Sequence, residues 1–378
     1  MLWTMVFTYP LQSVFQSVCA KIGRVTGRGL AANIKTAFPP WVLLTVVALV
    51  LFANVLNVSS DIAAMGEAGA LLLPGYRHEL TIGFAVLTLG LLIFVPYHRY
   101  VWLLKWLTLS LFAYVAVAFI VKVPWGEVAI RTVWPQFTLN KDSLTMVVAV
   151  FGTTISPYLF FWQASEEVEE IETHADEHAL KTAPGEAREQ LKRIGWDTYI
   201  GMAYSNIIAF FVILATAVTL NAHGVTNIQT AAQAAIALKP IAGDLASVLF
   251  ALGIVGTGLL AIPTLAGSAA YALSEAMGWR EGLELKFSEA RGFYIIIGVA
   301  IMGGVAVSYS PIDPIKALFW SAVVNGVVAV PLMAIIMLLV GRKSLMGIFV
   351  ATPWQRWGGW AATAVMAVAA VLMFVTMS

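Results

Sequence analysis

Charge is scarce in this chain. Of its 378 residues, 11 % are Asp, Glu, Lys or Arg, against about a quarter in a soluble domain. With 60 % apolar residues, such a chain cannot clothe itself in a water-facing surface, and it reads as an integral membrane protein. Cysteine is nearly missing: Cys19 stands alone, which excludes an internal disulfide and a cysteine metal site. No GxxxxGKS phosphate loop, nucleotide-binding domain or nucleic-acid patch is present, so any transport is not driven by ATP bound to this chain. No nucleophile–base pair is visible, which argues against an enzyme. The five histidines, His78, His98, His174, His178 and His223, all fall in loops, so an intramembrane histidine proton relay is unavailable.

What is present is a series of apolar runs. Ten candidate spans lie at about 1–20, 41–65, 79–97, 100–122, 144–171, 196–221, 244–275, 290–308, 312–341 and 356–377, each meeting the need for about 20 mostly apolar residues. The expected fold is an all-α integral membrane protein with one domain over 1–378 and a cytoplasmic polar loop at 172–195. If the first span ends in the cytoplasm, 16 of the 22 Lys and Arg lie on the cytoplasmic side, as the positive-inside rule requires. Both chain ends then face outward. The chain starts inside a hydrophobic run with no charged lead, so at least one further helix upstream is expected. A segment from Thr226 to Lys239 reads as an amphipathic helix on the outer surface.

The fifth run is interrupted. Gly152-Thr153-Thr154-Ile155-Ser156-Pro157-Tyr158 sits near its middle, which at about 1.5 Å per residue is close to the bilayer midplane. Pro157 lacks an N–H and clashes with the carbonyl four residues back, which opens the helix, and it pushes Ser156 out of the α region. Open backbone at that depth survives only where it is buried in protein or lines a cavity. A discontinuous helix at mid-membrane marks a transporter's binding site. Thr153, Thr154, Ser156 and, two turns on, Gln163 are hard oxygen donors, suited to Mg²⁺, Ca²⁺ or Mn²⁺. The competing reading is a proline kink repaired by threonine back-bonding.

Other residues are candidates for a pathway. Asp61, near the outer end of the second span, is an intramembrane carboxylate and so a functional candidate by default; a helix-end acid reaching the interface is the plainer alternative. Asn325 lies mid-span in the ninth run and either faces a pore or bonds a neighbouring helix. Glu166, Glu167, Glu169 and Glu170 close the broken helix, where acids oppose the macrodipole; Glu166 could draw cations into an inner vestibule. His174 and His178 have the spacing of a two-histidine metal face, but no third ligand stands out.

Three stretches carry a resemblance: AKIGRVTGRGLAANIK from Ala20 to Lys35, DIAAMG from Asp61 to Gly66, and the GTTISPY break. Together, and with the order of the later spans, they resemble the NRAMP family of divalent-metal transporters over nearly the whole chain, from the family's second helix onward. The resemblance implies two inverted five-helix repeats crossing at a midplane metal site, as in amino-acid permeases. The family binds metal with a DPGN break in its first helix, which this chain does not contain, and an MPH break in its sixth. In that second break the methionine position is Ser156, the proline is Pro157 and the histidine position is Tyr158. A thioether favours softer transition metals, so its replacement removes that filter, as in the NRAMP-related branch associated with magnesium transport. The family's acid pair in its third helix is reduced to Asp61 with Ala64, and a histidine after the break is Gln163. The relay is mostly gone, which implies uncoupled or weakly coupled movement.

The expectation is thus a secondary transporter of Mg²⁺ or Mn²⁺ in a bacterial inner or plasma membrane, working by alternating access. Its metal residues would be Thr153, Thr154, Ser156, Pro157, Tyr158 and Gln163, and Asp61, Asn325 and Glu166 would lie along the pathway. No cofactor is implied, and the partners are the lipid bilayer and the transported cation. The alternatives are an amino-acid or other solute permease of the same fold, and a truncated, non-transporting membrane protein.

Overall fold

Helices follow the apolar runs, and in the computed structural model they pack around the third of them. The structure describes residues 1–95, 106–135, 139–174, 177–221, 224, 228, 230–311 and 313–377. The long elements are α1 (Leu2–Thr26), α2 (Leu30–Ala37), α3 (Pro40–Ala70), α4 (Arg77–Phe94), α5 (Phe112–Ile120), α6 (Trp125–Val133), α7 (Lys141–Thr154), α8 (Pro157–Thr173), α9 (Ala187–Thr219), α10 (Ala246–Met277), α11 (Arg291–Ser308), α12 (Pro314–Val340) and α13 (Pro353–Met377).

Among the described residues, eight helices are long and apolar enough to cross a membrane, counting α7 and α8 as one span. The number becomes nine if the pair Leu107–Ile120 and Trp125–Val133, bent by 119°, is one span. The expected ten is therefore not reached by length and apolarity. The difference is α1: it has 25 residues, yet buries Gln12, Gln16, Lys21 and Arg24. It packs on α7, α8, α9, α12 and α13, so protein rather than lipid meets most of its surface and its composition need not be uniformly apolar. Residues 100–105 of the fourth expected span, and with them Lys105, lie outside the described residues. So do His98, Arg99 and His223. The polar loop is shorter than expected, because α8 runs on to Thr173 and α9 starts at Ala187. Of the expected surface helix, residues 226–227 and 229 also lie outside the described residues. Its remainder is a short α-helical turn, Ala231–Ala235, started by a Thr230–Gln233 capping box and continued by a 3-10 turn at Ile236–Leu238.

The centre is α3, which touches α4, α10, α11 and α12. Asn54 ties it to α10, donating to Leu265 O at 3.0 Å and to Ser268 Oγ at 2.7 Å. Inside lipid-facing helices there is no hydrophobic force to hold neighbours together, so small residues and interhelical hydrogen bonds do it. Gly152 shows the first device. A Cβ placed there would lie 2.0 Å from the Ala322 carbonyl oxygen and 2.4 Å from the Gly326 nitrogen, so α7 and α12 meet backbone to backbone.

Candidate transport site

The proline break is present. α7 ends at Thr154, Ile155 and Ser156 leave the helical region, and α8 restarts with Pro157 at its first position. The two halves have 14 and 17 residues, about 21 and 26 Å long. The C-terminal end of α7, with its partial negative charge, thus meets the start of α8 near mid-membrane. Ser156 is fully buried. Its hydroxyl donates back to Gly152 O at 2.5 Å and Thr153 O at 2.9 Å, the carbonyls that the break deprives of helical partners. Thr153 and Thr154 back-bond as well, to Ala149 O and Val150 O, both at 3.0 Å.

These residues do not share one face. Thr153 and Thr154 line an apolar groove of about 540 Å³ with residues of α9 and α12, among them Ile208, Val212 and Phe319. Ser156 and Tyr158 face the other way. There Tyr158 packs against the apolar cluster that holds Val58 and Ile62 of α3, in the neighbourhood of Asp61. Asp61 is nine residues before the end of α3, about 14 Å below its outer end. It is partly buried and has no hydrogen-bond or ion-pair partner among the described residues.

One turn earlier on α3 is Asn57, on the face that carries Asp61. It forms a reciprocal amide pair with Asn325 of α12: Asn57 Nδ2 donates to Asn325 Oδ1 at 2.9 Å, and Asn325 Nδ2 donates to Asn57 Oδ1 at 3.1 Å. Asn325 is 2 % exposed. It therefore bonds a neighbouring helix beside the site. In the sequence, an amide one turn from an intramembrane acid is the readable signal for Asn57.

From Tyr158 a stripe runs along α8 to its C-terminal end. Trp162, Glu166, Glu169, Glu170 and Thr173 line a cavity of about 460 Å³, which His174, Tyr271 and Glu284 complete. Gln163, partly buried and without a partner among the described residues, sits one turn above Glu166 and Glu167. Two of the acids at this helix end, Glu167 and Glu169, have specific neighbours that offset the unfavourable macrodipole, as does Glu275 on α10 nearby. Glu167 pairs with Arg193 at 2.7 Å. Glu169 accepts the Tyr271 hydroxyl and, at 2.8 Å, the Leu283 N–H. Glu275 accepts Ala32 N–H at 2.9 Å and Ser165 Oγ–H at 3.2 Å. Beyond the span, burial and then the charges of Glu275, Glu172 and Glu169 push the carboxyl of Glu281 up to about 9; its Oε2 is buried without a partner among the described residues. Glu166 is exposed to the cavity.

His174 does not act with His178, which faces Glu186 at 3.7 Å. Instead Glu170, His174 and Glu177 place ligand atoms within 4.8 Å of one another. Glu177 is already engaged by Arg24 at 2.6 Å and Gln190 at 3.3 Å. Burial works against its charge, but Arg24 and then Gln190 hold its carboxyl below the ordinary carboxylate range.

The comparisons with known proteins agree with this architecture. The family model described as "Natural resistance-associated macrophage protein-like" matches residues 1–376. A divalent metal cation transporter MntH of Klebsiella pneumoniae subsp. pneumoniae is 24 % identical over 383 positions, covering 97 % of this chain and 84 % of that protein. The protein of the same name from Agrobacterium fabrum is 26 % identical over 256 residues, covering 65 % of this chain and 53 % of its relative, so that match spans about half the relative's length. The crystal structure of the Eremococcus coleocola manganese transporter superposes with a TM-score of 0.78 at 16 % identity, over 99 % of this chain and 79 % of that one. That last likeness is one of fold.

Proposed function

We infer the function from one premise: this chain belongs to the Nramp family. It is a multi-pass membrane protein that moves divalent metal cations across the bilayer as a secondary transporter, not an enzyme. The bacterial plasma membrane is its proposed location, and alternating access its proposed mode.

The observation that carries the reading is the break between Thr154 and Pro157, with Tyr158 packed against the part of α3 that carries Asp61. A carboxylate without a partner among the described residues, a phenol and the carbonyl end of α7 fall in the same stretch of the bundle. A cation passing there would gain hard oxygen ligands and offset the buried charge of Asp61. No sulfur or imidazole lies among the donors named, so the set favours Mg²⁺ or Mn²⁺ over softer ions. In this reading Asp61 and Tyr158 receive the ion, Ser156 and Pro157 hold the break open, and the Asn57–Asn325 pair braces α3 against α12. The stripe through Gln163 to Glu166 and the acidic vestibule then attracts the ion toward the cytoplasm. Thr153 and Thr154 act from the other face, by keeping the last turn of α7 intact. With Ala64 and Gln163 in place of titratable groups, coupling to protons is weak.

Uptake of Mn²⁺ and Mg²⁺ into proteoliposomes tests this. Saturable uptake with mutual competition is expected. Uptake of neither ion by reconstituted, folded protein, or inhibition by amino acids but not by divalent cations, overturns it.

A further inference from the structure

The cytoplasmic corner where α12 turns into α13 has a feature that metal transport does not use. No Asp or Glu occurs between residues 1 and 60, nor after Asp313, so α1, α2, α12 and α13 bring only positive charge to this corner. Arg342 is spoken for: it stacks over the Phe38 ring at 4.3 Å and donates to the Ala37 carbonyl. Lys21 is spent on Val350 O at 3.2 Å and Gln355 Oε1 at 3.1 Å, neither of which neutralises it. Lys343 and Arg356 are exposed and have no side-chain partner among the described residues.

Arg356 belongs to a built cavity of about 560 Å³, lined by Ala351, Pro353, Arg356, Trp357 and Trp360. Pro353, Arg356, Trp357 and Trp360 recur at helical spacing on one face of α13. Trp357 is 78 % exposed, a cost in water but the usual placement of an indole at the membrane interface. A guanidinium, an uncompensated positive field and two indoles thus open one cavity toward the bilayer at headgroup depth.

We propose that this cavity binds the phosphate headgroup of an anionic phospholipid of the cytoplasmic leaflet, with Arg356 on the phosphate and Trp357 and Trp360 along the first acyl carbons. Arg suits a phosphate because its planar fork offers two parallel donors. Basic pockets between helices on the cytoplasmic side hold such headgroups for the same reason.

Native mass spectrometry of the full chain, titrated with dioleoyl phosphatidylglycerol or dioleoyl phosphatidylcholine, is the test. One basic side chain near an anionic surface contributes about 1 kcal/mol, roughly a fivefold preference. The wild type is expected to prefer phosphatidylglycerol by about that factor or more. Arg356→Gln brings the ratio near one, while Trp357→Ala weakens both lipids and keeps the ratio. Lys316→Gln, at the other leaflet, changes nothing. A wild-type ratio near one, a preference that survives Arg356→Gln, or equal competition by glycerol 3-phosphate each overturns the proposal. Unfolding midpoints in phosphatidylcholine verify that the variants remain folded.

Discussion

Asn57→Leu should destabilise this protein more than Asn325→Leu, and the double variant should cost less than their sum. The two amides exchange bonds of 2.9 and 3.1 Å between α3 and α12. Interhelical hydrogen bonds in membranes average about 0.6 kcal/mol and reach about 1.7, so the pair contributes about 1 to 3 kcal/mol of coupling. The asymmetry comes from what each single variant leaves behind. Without Asn325, Asn57 still donates to Ala53 O at 2.8 Å. Without Asn57, the amide of Asn325, 2 % exposed, has no partner among the described residues, and an unsatisfied buried polar group costs about 1–3 kcal/mol. Removing both amides removes that penalty. The assay is reversible unfolding in mixed detergent and SDS micelles, run as a double-mutant cycle. Effects that add within about 0.3–0.5 kcal/mol, the spread of independent sites, would refute the reasoning, as would Asn325→Leu proving the costlier single change.

Four further outcomes are expected. Gly152→Ala should lower stability by at least the 1–3 kcal/mol typical of overpacking, since its Cβ would meet the backbone of α12; unchanged unfolding and uptake would refute the close crossing. Asp61→Asn should reduce proteoliposome uptake of Mn²⁺ at least about tenfold while the unfolding midpoint holds, on the order of one lost charged ligand contact. Ser156→Met, restoring a soft ligand, should raise competition by Cd²⁺ relative to Mg²⁺; an unchanged ratio counts against the selectivity reading. Glu281 binds its proton more tightly folded than unfolded, so between the ordinary carboxylate value, about 4.3, and about 9 the folded state holds more protons. Stability should therefore fall as pH rises through that window. Glu281→Gln should flatten the slope measured by thermal unfolding at successive pH values.

Pro157 was legible because its effect is local: a ring without an N–H opens a helix wherever it stands. Glu166 was legible as an exposed acid for the same kind of reason, since it follows from position at a helix end. The grouping of Thr153, Thr154 and Ser156 was not legible, because adjacency in sequence does not say which face a residue takes once the helix breaks. That α1 is wrapped by protein was not legible from its apolar first 20 residues, because burial of Gln12, Gln16, Lys21 and Arg24 depends on the neighbouring helices.

The sequence by itself determined the membrane, the apolar runs and the mid-span break. Each of these follows from composition, periodicity or one residue's covalent geometry. Only the tertiary structure decided that Tyr158 packs beside the stretch of α3 that carries Asp61, that Asn57 holds Asn325, and that Thr153 and Thr154 line a groove without Ser156. Those facts depend on how α3, α7, α8 and α12 are rotated against one another. That rotation is set by close crossings such as Gly152 on α12, between residues 170 positions or more apart in the chain.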